Sequence, residues 1–488
     1  MSSPLVLALD VGTSSTRTAL FDDHAHRILP TTAQQKYRLH TTPDGGAELD
    51  PAVLLRAARH CLDQTMRVHR SDPALRRRPV AGIGVSSFWH SLLGVNAKGD
   101  PVTRVFTWAD SRCRADAAAL REKFGEKTLH ARTGCMVRAS FWPAKLKWLR
   151  RTQPKVWERV RQWMSPAEWL QLKLTGEAHC ALGMATGTGL FNPATMQWDA
   201  ALLKTCGVTR DRLRPLSDEP LPVSGPLARE FPELRGVPWF PGIGDGAASN
   251  LGSGATRPGL AAINFGTSGA LRVIRESGIP RAPFGVSCYR VDARRYLVGG
   301  AVSNAGNLRA WCLRELNLSD EAEIDSELAH HPEPVRGLTV LPFWTAERAP
   351  KWNEEQPSMI VGLTHHTTAR DLLQAITEAS YQRIARIAEL IFAEEKTKPK
   401  LIISGGILRS AQALQRFADV LGEPLYPSEE MEASIRGAAI FVLEKLGGAA
   451  SPLHLGRPVR PRPRYAKLFA AAREKQRKLE DSALEGWR

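Results

Sequence analysis

The 488-residue chain has no G-x-x-x-x-G-K-[ST] loop, which excludes the Walker type of nucleotide cradle. It has no G-x-G-x-x-G, the fingerprint of nicotinamide and flavin sites. There is no H-E-x-x-H, no Cys/His cluster at zinc spacing and no G-x-S-x-G elbow, so common metalloprotease, zinc and serine-hydrolase chemistries lack their signatures. Seven cysteines run from Cys61 to Cys312 without a C-x-x-C pair. An odd, scattered set reads as free thiols in a reducing compartment. No stretch approaches the roughly 20 apolar residues of a membrane helix. No charged segment followed by a signal-length apolar run opens the chain. The expectation is a cytoplasmic protein with no membrane partner.

Charge of one sign is in excess. The net charge is +16 and the sequence pI about 9.8. The excess is diffuse, with clusters only at Arg76-Arg77-Arg78, Arg150-Arg151 and the C-terminal tail. Interleaved aromatic and basic residues are missing, which disfavours a nucleic-acid partner. A basic field suits small anionic substrates. Hydrophobic content of 43% and charged content of 24% are ordinary for a globular protein, and the length calls for two or three domains.

What the chain does have begins at residue 5. Leu5-Val6-Leu7-Ala8-Leu9 reads as a buried strand ending on Asp10. Gly12, Thr13, Ser14, Ser15, Thr16 and Arg17 follow as a tight polar turn, and Ala19-Leu20-Phe21 resumes the apolar pattern. This predicts a hairpin whose tip offers small residues, hydroxyls and a cation to an anion. An ordinary turn would read the same way. However, Ala8-Leu9-Asp10-Val11-Gly12-Thr13-Ser14 returns 254 positions later as Ala262-Ile263-Asn264-Phe265-Gly266-Thr267-Ser268. A matched pair predicts two related lobes, each presenting a phosphate-sized turn to one cleft.

The remaining pattern alternates strands with helices and is α/β. Asp50-Pro51 opens a helix to about Arg67, and Val80–Val85 is a strand leading to Trp89-His90. Trp157, Trp163 and Trp169 are packing residues. Gly183–Phe191 is a small-residue segment bordering something crowded. Leu251–Gly254 marks a boundary, giving lobes 1–254 and 255–449. Residues 450–488 form a basic tail, expected to be a solvated appendage or partner contact.

Asp245 lies between Gly244 and Gly246 at the end of an apolar run. A carboxylate there can take a proton from a hydroxyl that attacks phosphorus, and the flanking glycines leave it open to substrate. Gly-Asp-Gly is also a common turn.

Together these segments resemble the FGGY family of carbohydrate kinases from Leu5 to about Leu446. The segments are Asp10–Arg17, Asn264–Gly269, Asp245, Ser404–Ser410 and Ser358–Glu378. Thr377 stands where that last signature is usually apolar. Phe141-Trp142-Pro143-Ala144-Lys145 shifts the proline of another signature and is given no chemistry. The resemblance implies two ribonuclease H-like (actin-like ATPase) lobes with ATP and sugar between them. It implies Asp245 as the catalytic base and Asp10 as organiser of Mg²⁺. Gly12, Thr13, Ser14, Ser15 and Arg17 would face the terminal phosphates. Gly266, Thr267 and Gly306 would contact the nucleotide phosphates, and Gly405, Gly406 and Ser410 would lie along adenosine. A homodimer is compatible with the sequence.

For the sugar, Trp89-His90 falls where xylulose kinases of the family carry a Met-His pair. Trp108-Ala109-Asp110-Ser111-Arg112 matches the family's W-x-D-x-R segment. His90 contacts substrate or is a structural loop histidine. Asp110 and Arg112 bond sugar hydroxyls or only brace their loop. Glu347-Arg348-Ala349-Pro350-Lys351-Trp352-Asn353 is similar to the E-R-[AS]-P-x-W-N of gluconate kinases, with Trp352 the telling residue. The implied reaction is phosphorylation of D-gluconate by ATP. Xylulose or another pentulose or polyol is the alternative acceptor, and a non-catalytic nucleotide-binding regulator is the alternative of another class.

Overall fold

The computed structural model describes residues 3–276, 278–318, 321–335, 337–345 and 347–486. The apolar run at the start is the strand Leu5–Val11, fully buried at Leu5, Leu7, Ala8 and Leu9. It pairs antiparallel with Ser15–Phe21, Asp10 opposite Arg17, and parallel with Val80–Ser87, Asp10 beside Ser86. Residues 260–276 repeat the arrangement. Leu260–Phe265 pairs antiparallel with Gly269–Glu276 and parallel with Lys400–Ser404, with Asn264 beside Ser404. Each hairpin is thus the centre of a mixed sheet, one of seven strands and one of six. The predicted duplication is a duplication of strand topology as well as of turn sequence.

In the first sheet the short strand Ile243–Gly244 also runs parallel to Val80–Ser87. Asp10 and Asp245 therefore emerge at the carboxyl ends of two parallel strands that both pair with Val80–Ser87, where open α/β sheets form their crevices. Asp245 is not in a turn: it is the first residue of the helix Asp245–Gly252.

Helix Pro51–Ser71 starts as expected, with Asp50 accepting from the Ala52 amide at 2.8 Å, and runs four residues past the anticipated end. Trp163 and Trp169 are buried in packing roles, and all seven cysteines are buried and unpaired. Among the described residues no helix is long and apolar enough to cross a membrane.

Two features depart from expectation. Helix Ala433–Lys445 belongs to the second lobe by chain order, yet Ala438 and Val442 join the first lobe's core. Glycines permit the approach: a Cβ on Gly252 would lie 1.7 Å from the Ala433 carbonyl oxygen, and one on Gly437 1.7 Å from that of Ala248. The tail is not a solvated appendage. Its helix, Pro463–Gly486, buries Phe469, Gln476 and Glu480 against the second lobe. Glu480 accepts from Arg383 at 2.9 Å, and Gln476 donates to the Val340 carbonyl at 2.9 Å. One of the tail's charges, Glu480, is thus paired inside.

Candidate active site

A cleft of about 440 Å³ lies between the lobes. The first lobe lines it with Asp10, Gly12, Thr13, Ser14, Ser15 and Arg17, with Trp89, His90 and Trp108, and with Asp245. The second lobe contributes Ser268 and Gly269 from its hairpin, with Arg272, Tyr289, Arg348 and Trp352.

The first hairpin tip is braced from behind. Gly12 N–H donates to the Ser15 carbonyl at 2.9 Å, and the Tyr37 hydroxyl donates to the Gly12 carbonyl at 2.6 Å. Arg17 is engaged at 2.5 Å by Glu432, just ahead of helix Ala433–Lys445, and stands 3.8 Å from Asp10. Burial pushes the Asp10 carboxyl up from 3.8 to about 6, with Asp245 and Glu432 adding to the rise and Ser86 and Arg17 opposing it. Asp245 is also raised, by burial against the pull of Arg272. Two carboxylates that disfavour each other's charge suit a hydrated divalent cation. Mg²⁺ asks for one or two carboxylates and takes its other ligands from water and phosphate. Asp10 fits that demand. Among the described residues no group of three or more acidic, His or Cys side chains forms a metal cage.

The glycines beside Asp245 have a different reason than open access. A Cβ on Gly244 would lie 1.7 Å from Trp89 Cε2, one on Gly246 2.6 Å from Cζ3, and one on Gly187 2.3 Å from Cδ1. Three glycines form a slot for one indole, which donates to the Gly183 carbonyl at 3.0 Å. The crowded object beside Gly183–Phe191 is Trp89. It forms the floor on which Asp245 and His90 are set.

His90 has left-handed backbone, φ 66°, unusual for a non-glycine residue. Lys145 holds it there, donating to its carbonyl at 2.8 Å and to that of Ser140 at 2.5 Å. Burial lowers Lys145 to about 8. The signature given no chemistry in the sequence thus lies directly beneath the site. Burial pushes His90 down to about 3, helped by Arg348, Lys145 and Arg272, so the imidazole is neutral. Its Nδ1 is 2.5 Å from the Gly187 carbonyl and must be the protonated nitrogen. Nε2 is left as an acceptor for a hydroxyl.

Asp110 and Arg112 fall outside the cleft lining. Asp110 accepts from Arg112 at 2.5 Å and from the Ala47 amide at 3.2 Å, and Arg112 also pairs with Glu48 at 2.5 Å. The Arg112 guanidinium packs over Trp148. They brace the loop that carries Trp108, which is 39% exposed at the mouth.

The residues expected to face the nucleotide gather behind the second hairpin. Gly306 N–H donates to the Gly266 carbonyl at 2.9 Å and Asn307 N–H to that of Thr267 at 3.2 Å. Gly405, φ 102°, approaches so closely that a Cβ would lie 2.7 Å from the Phe265 carbonyl oxygen. Positions for a Cβ on Gly266 and Gly406 are open, leaving a free face between these segments. Ser410 caps the helix Ala411–Leu421 by accepting from the Ala413 amide at 3.0 Å. Gly266, Thr267, Gly306, Gly405, Gly406 and Ser410 form this wall, outside the cleft lining.

Residues 5–252 match the N-terminal domain, and residues 261–443 the C-terminal domain, of the FGGY family of carbohydrate kinases. The chain belongs to that family. This FGGY chain is 26% identical over 462 residues to a gluconokinase of Bacillus subtilis, covering 91% of the chain and 88% of the relative. It is 24% identical over 443 residues to a xylulose kinase of Haemophilus influenzae, covering 89% and 90%. In three dimensions it is similar to a gluconate kinase from Lactobacillus acidophilus, with a TM-score of 0.90 at 24% identity over 100% of this chain and 99% of that one. The two-lobed α/β fold of this FGGY kinase is thereby established.

The sequence pointed to most of the cleft's first-lobe residues. Arg272 and Tyr289 were missed. Arg272 left one trace, a lone cation in the apolar run Gly269-Ala270-Leu271-Arg272-Val273-Ile274.

Proposed function

We propose that this ATP-dependent sugar kinase phosphorylates D-gluconate at its terminal hydroxyl, giving 6-phosphogluconate. The observation that carries the chemistry is Asp245, a carboxylate of raised proton affinity beside Asp10 and between the two hairpins. Asp245 takes the proton of the 6-hydroxyl as its oxygen bonds to the γ-phosphorus. The bond from that phosphorus to the bridging oxygen breaks, and its electron pair leaves with ADP. The first hairpin steadies the transferring group while the wall at Gly266, Gly306 and Gly406 receives the rest of the nucleotide. Mg²⁺ held near Asp10 would neutralise charge on the phosphates. Trp89 and Trp108 offer flat apolar faces to the carbon chain, and His90 Nε2 accepts from one of its hydroxyls. Lobe closure excludes water, against which hydrolysis of ATP competes.

The choice of a sugar acid is supported by Trp352, buried in the cleft wall within the Glu347–Asn353 segment, and by the gluconokinase relatives. A second reading is favoured by His90, whose neutral acceptor nitrogen suits a ketose hydroxyl as well: xylulose or another pentulose or polyol would then be the acceptor. A non-catalytic regulator has no use for two carboxylates raised by burial in one cleft. Coupled ADP release over gluconate, xylulose, ribulose, glycerol and erythritol tests the reading. The expected order puts gluconate first by at least ~10-fold in kcat/KM. A preference for xylulose overturns it.

A further inference from the structure

Two arginines line the cleft without a hydrogen bond or ion pair among the described residues: Arg272 and Arg348. Both are half-buried, whereas fully buried arginines are anchored. Arg290 donates to the Pro193 carbonyl, Arg383 to Glu480 and Arg436 to the Gly252 carbonyl. A partly desolvated cation that faces a cleft without a hydrogen-bonded partner is suited to an anion that arrives with the ligand.

The two are differently placed. Both cations pull on Asp245, Arg272 the more strongly, and a Cβ on the neighbouring Gly246 would lie 3.1 Å from Arg272 Nε. Arg348 lies on the side of Tyr289, Trp108 and Trp352. Its guanidinium carbon is 5.8 Å from the Trp108 ring centre and 5.7 Å from that of Trp352. Indole contacts orient a guanidinium and leave its N–H groups for a planar, two-oxygen acceptor.

Trp352 is held for this task. Its backbone is left-handed, φ 56°, a costly conformation for a bulky residue. Its Nε1 donates to the Gly285 carbonyl at 2.8 Å, and its own carbonyl accepts from Arg138 Nε at 2.9 Å and Nη2 at 2.8 Å. Beside it, Glu347 accepts from the Asn353 amide at 2.9 Å and pairs with buried Arg383. The loop presenting Arg348 is fixed at both ends.

We propose that Arg348 receives the carboxylate of the sugar acid and so determines acceptor class, while Arg272 serves as countercharge to Asp245. The proposal rests on the sugar-acid reading above. It orients the substrate: with the carboxylate at Arg348 and the base at Asp245, the phosphorylated hydroxyl is the one remote from the carboxylate. A neutral polyol of the same length leaves Arg348 without an anion and is rejected on that account.

The test compares D-gluconate with D-glucitol, which carries CH₂OH in place of the carboxylate, by initial-rate ADP release. Wild type, Arg348→Met, Arg348→Lys and Arg272→Met are measured, with ATP affinity as the check on folding. Wild type is expected to favour gluconate by ~10²-fold or more in kcat/KM. Arg348→Met should erase about 10²-fold of that preference, chiefly through the KM for gluconate, and Arg348→Lys should retain part of it. Arg272→Met should slow both acceptors alike. If Arg348→Met does not fold, Arg348→Gln is read the same way. An unchanged preference in the Arg348 variants, or a lost preference in Arg272→Met, overturns the assignment while leaving the sugar-acid reading intact. Wild type inactive on gluconate and other aldonates overturns both.

Discussion

Trp89 lies so close to Gly244 that a single added methyl would meet its ring at 1.7 Å. The indole and the residue preceding Asp245 are therefore one packing unit, shared between the turn that follows Val80–Ser87 and the strand Ile243–Gly244 that leads into the helix at Asp245. The placement of the carboxylate depends on the fit of a tryptophan.

Gly244→Ala should accordingly displace both. Overpacking of this kind costs about 1–3 kcal/mol, and turnover should fall further than stability does. Trp89→Leu in the same chain should recover part of the stability but not the activity. Thermal unfolding and ADP release on the two single variants and the double variant measure the coupling.

Asp10 makes the ligand-free protein pH-sensitive. Its folded pKa, about 6, is above the ordinary 3.8. The folded state therefore holds the proton more tightly, and stability falls as pH rises between these values. Asp10→Asn should raise stability at pH 7.5 by at most about 3 kcal/mol, read as a higher thermal midpoint, and give no gain near pH 3. The same change should weaken Mg²⁺-dependent turnover severely. A matching acid limb near pH 6 is expected in kcat/KM, with no limb from His90, which is neutral down to about 3.

Glu480 anchors the C-terminal helix through Arg383, and Arg383 also pairs with Glu347, beside Arg348. Glu480→Gln leaves a buried guanidinium short of a partner, with an expected loss of about 3–5 kcal/mol. Its carboxylate is held below the ordinary range, chiefly by Arg383 against its burial, so this stability exists above the unfolded pKa and is lost in acid. The KM for the sugar acid should rise while that for ATP holds, because the chain of pairs ends at the acceptor loop. Chemical denaturation and the two KM values check this.

Gly405→Ala tests the nucleotide wall. The new Cβ would meet the Phe265 carbonyl at 2.7 Å in a backbone of φ 102° that side chains rarely adopt. The KM for ATP should rise by ~10-fold with a smaller effect on that for gluconate.

The hairpin pair was legible because its information is local: a strand, a Gly-Thr-Ser tip and a second copy. Asp245 was legible through its neighbours in the chain, although the reason for those neighbours was not. Gly244 and Gly246 serve a tryptophan over 150 residues away, and nothing in Gly-Asp-Gly says so. Arg272 and Arg348 look like any other arginines among 66 basic residues, since only the folded cleft shows that neither has a hydrogen bond or ion pair among the described residues. The tail misled for the converse reason: Glu480 and Arg383 look solvated until they are found buried against each other.

The central claim is that Asp245 takes the acceptor's proton during phosphoryl transfer, and Asp245→Asn tests it most directly. ATP affinity by equilibrium titration and gluconate-dependent ADP release are measured on the same preparation. The account predicts affinity within about threefold of wild type and turnover lower by ~10³-fold or more. Near-normal turnover with intact ATP binding would contradict it.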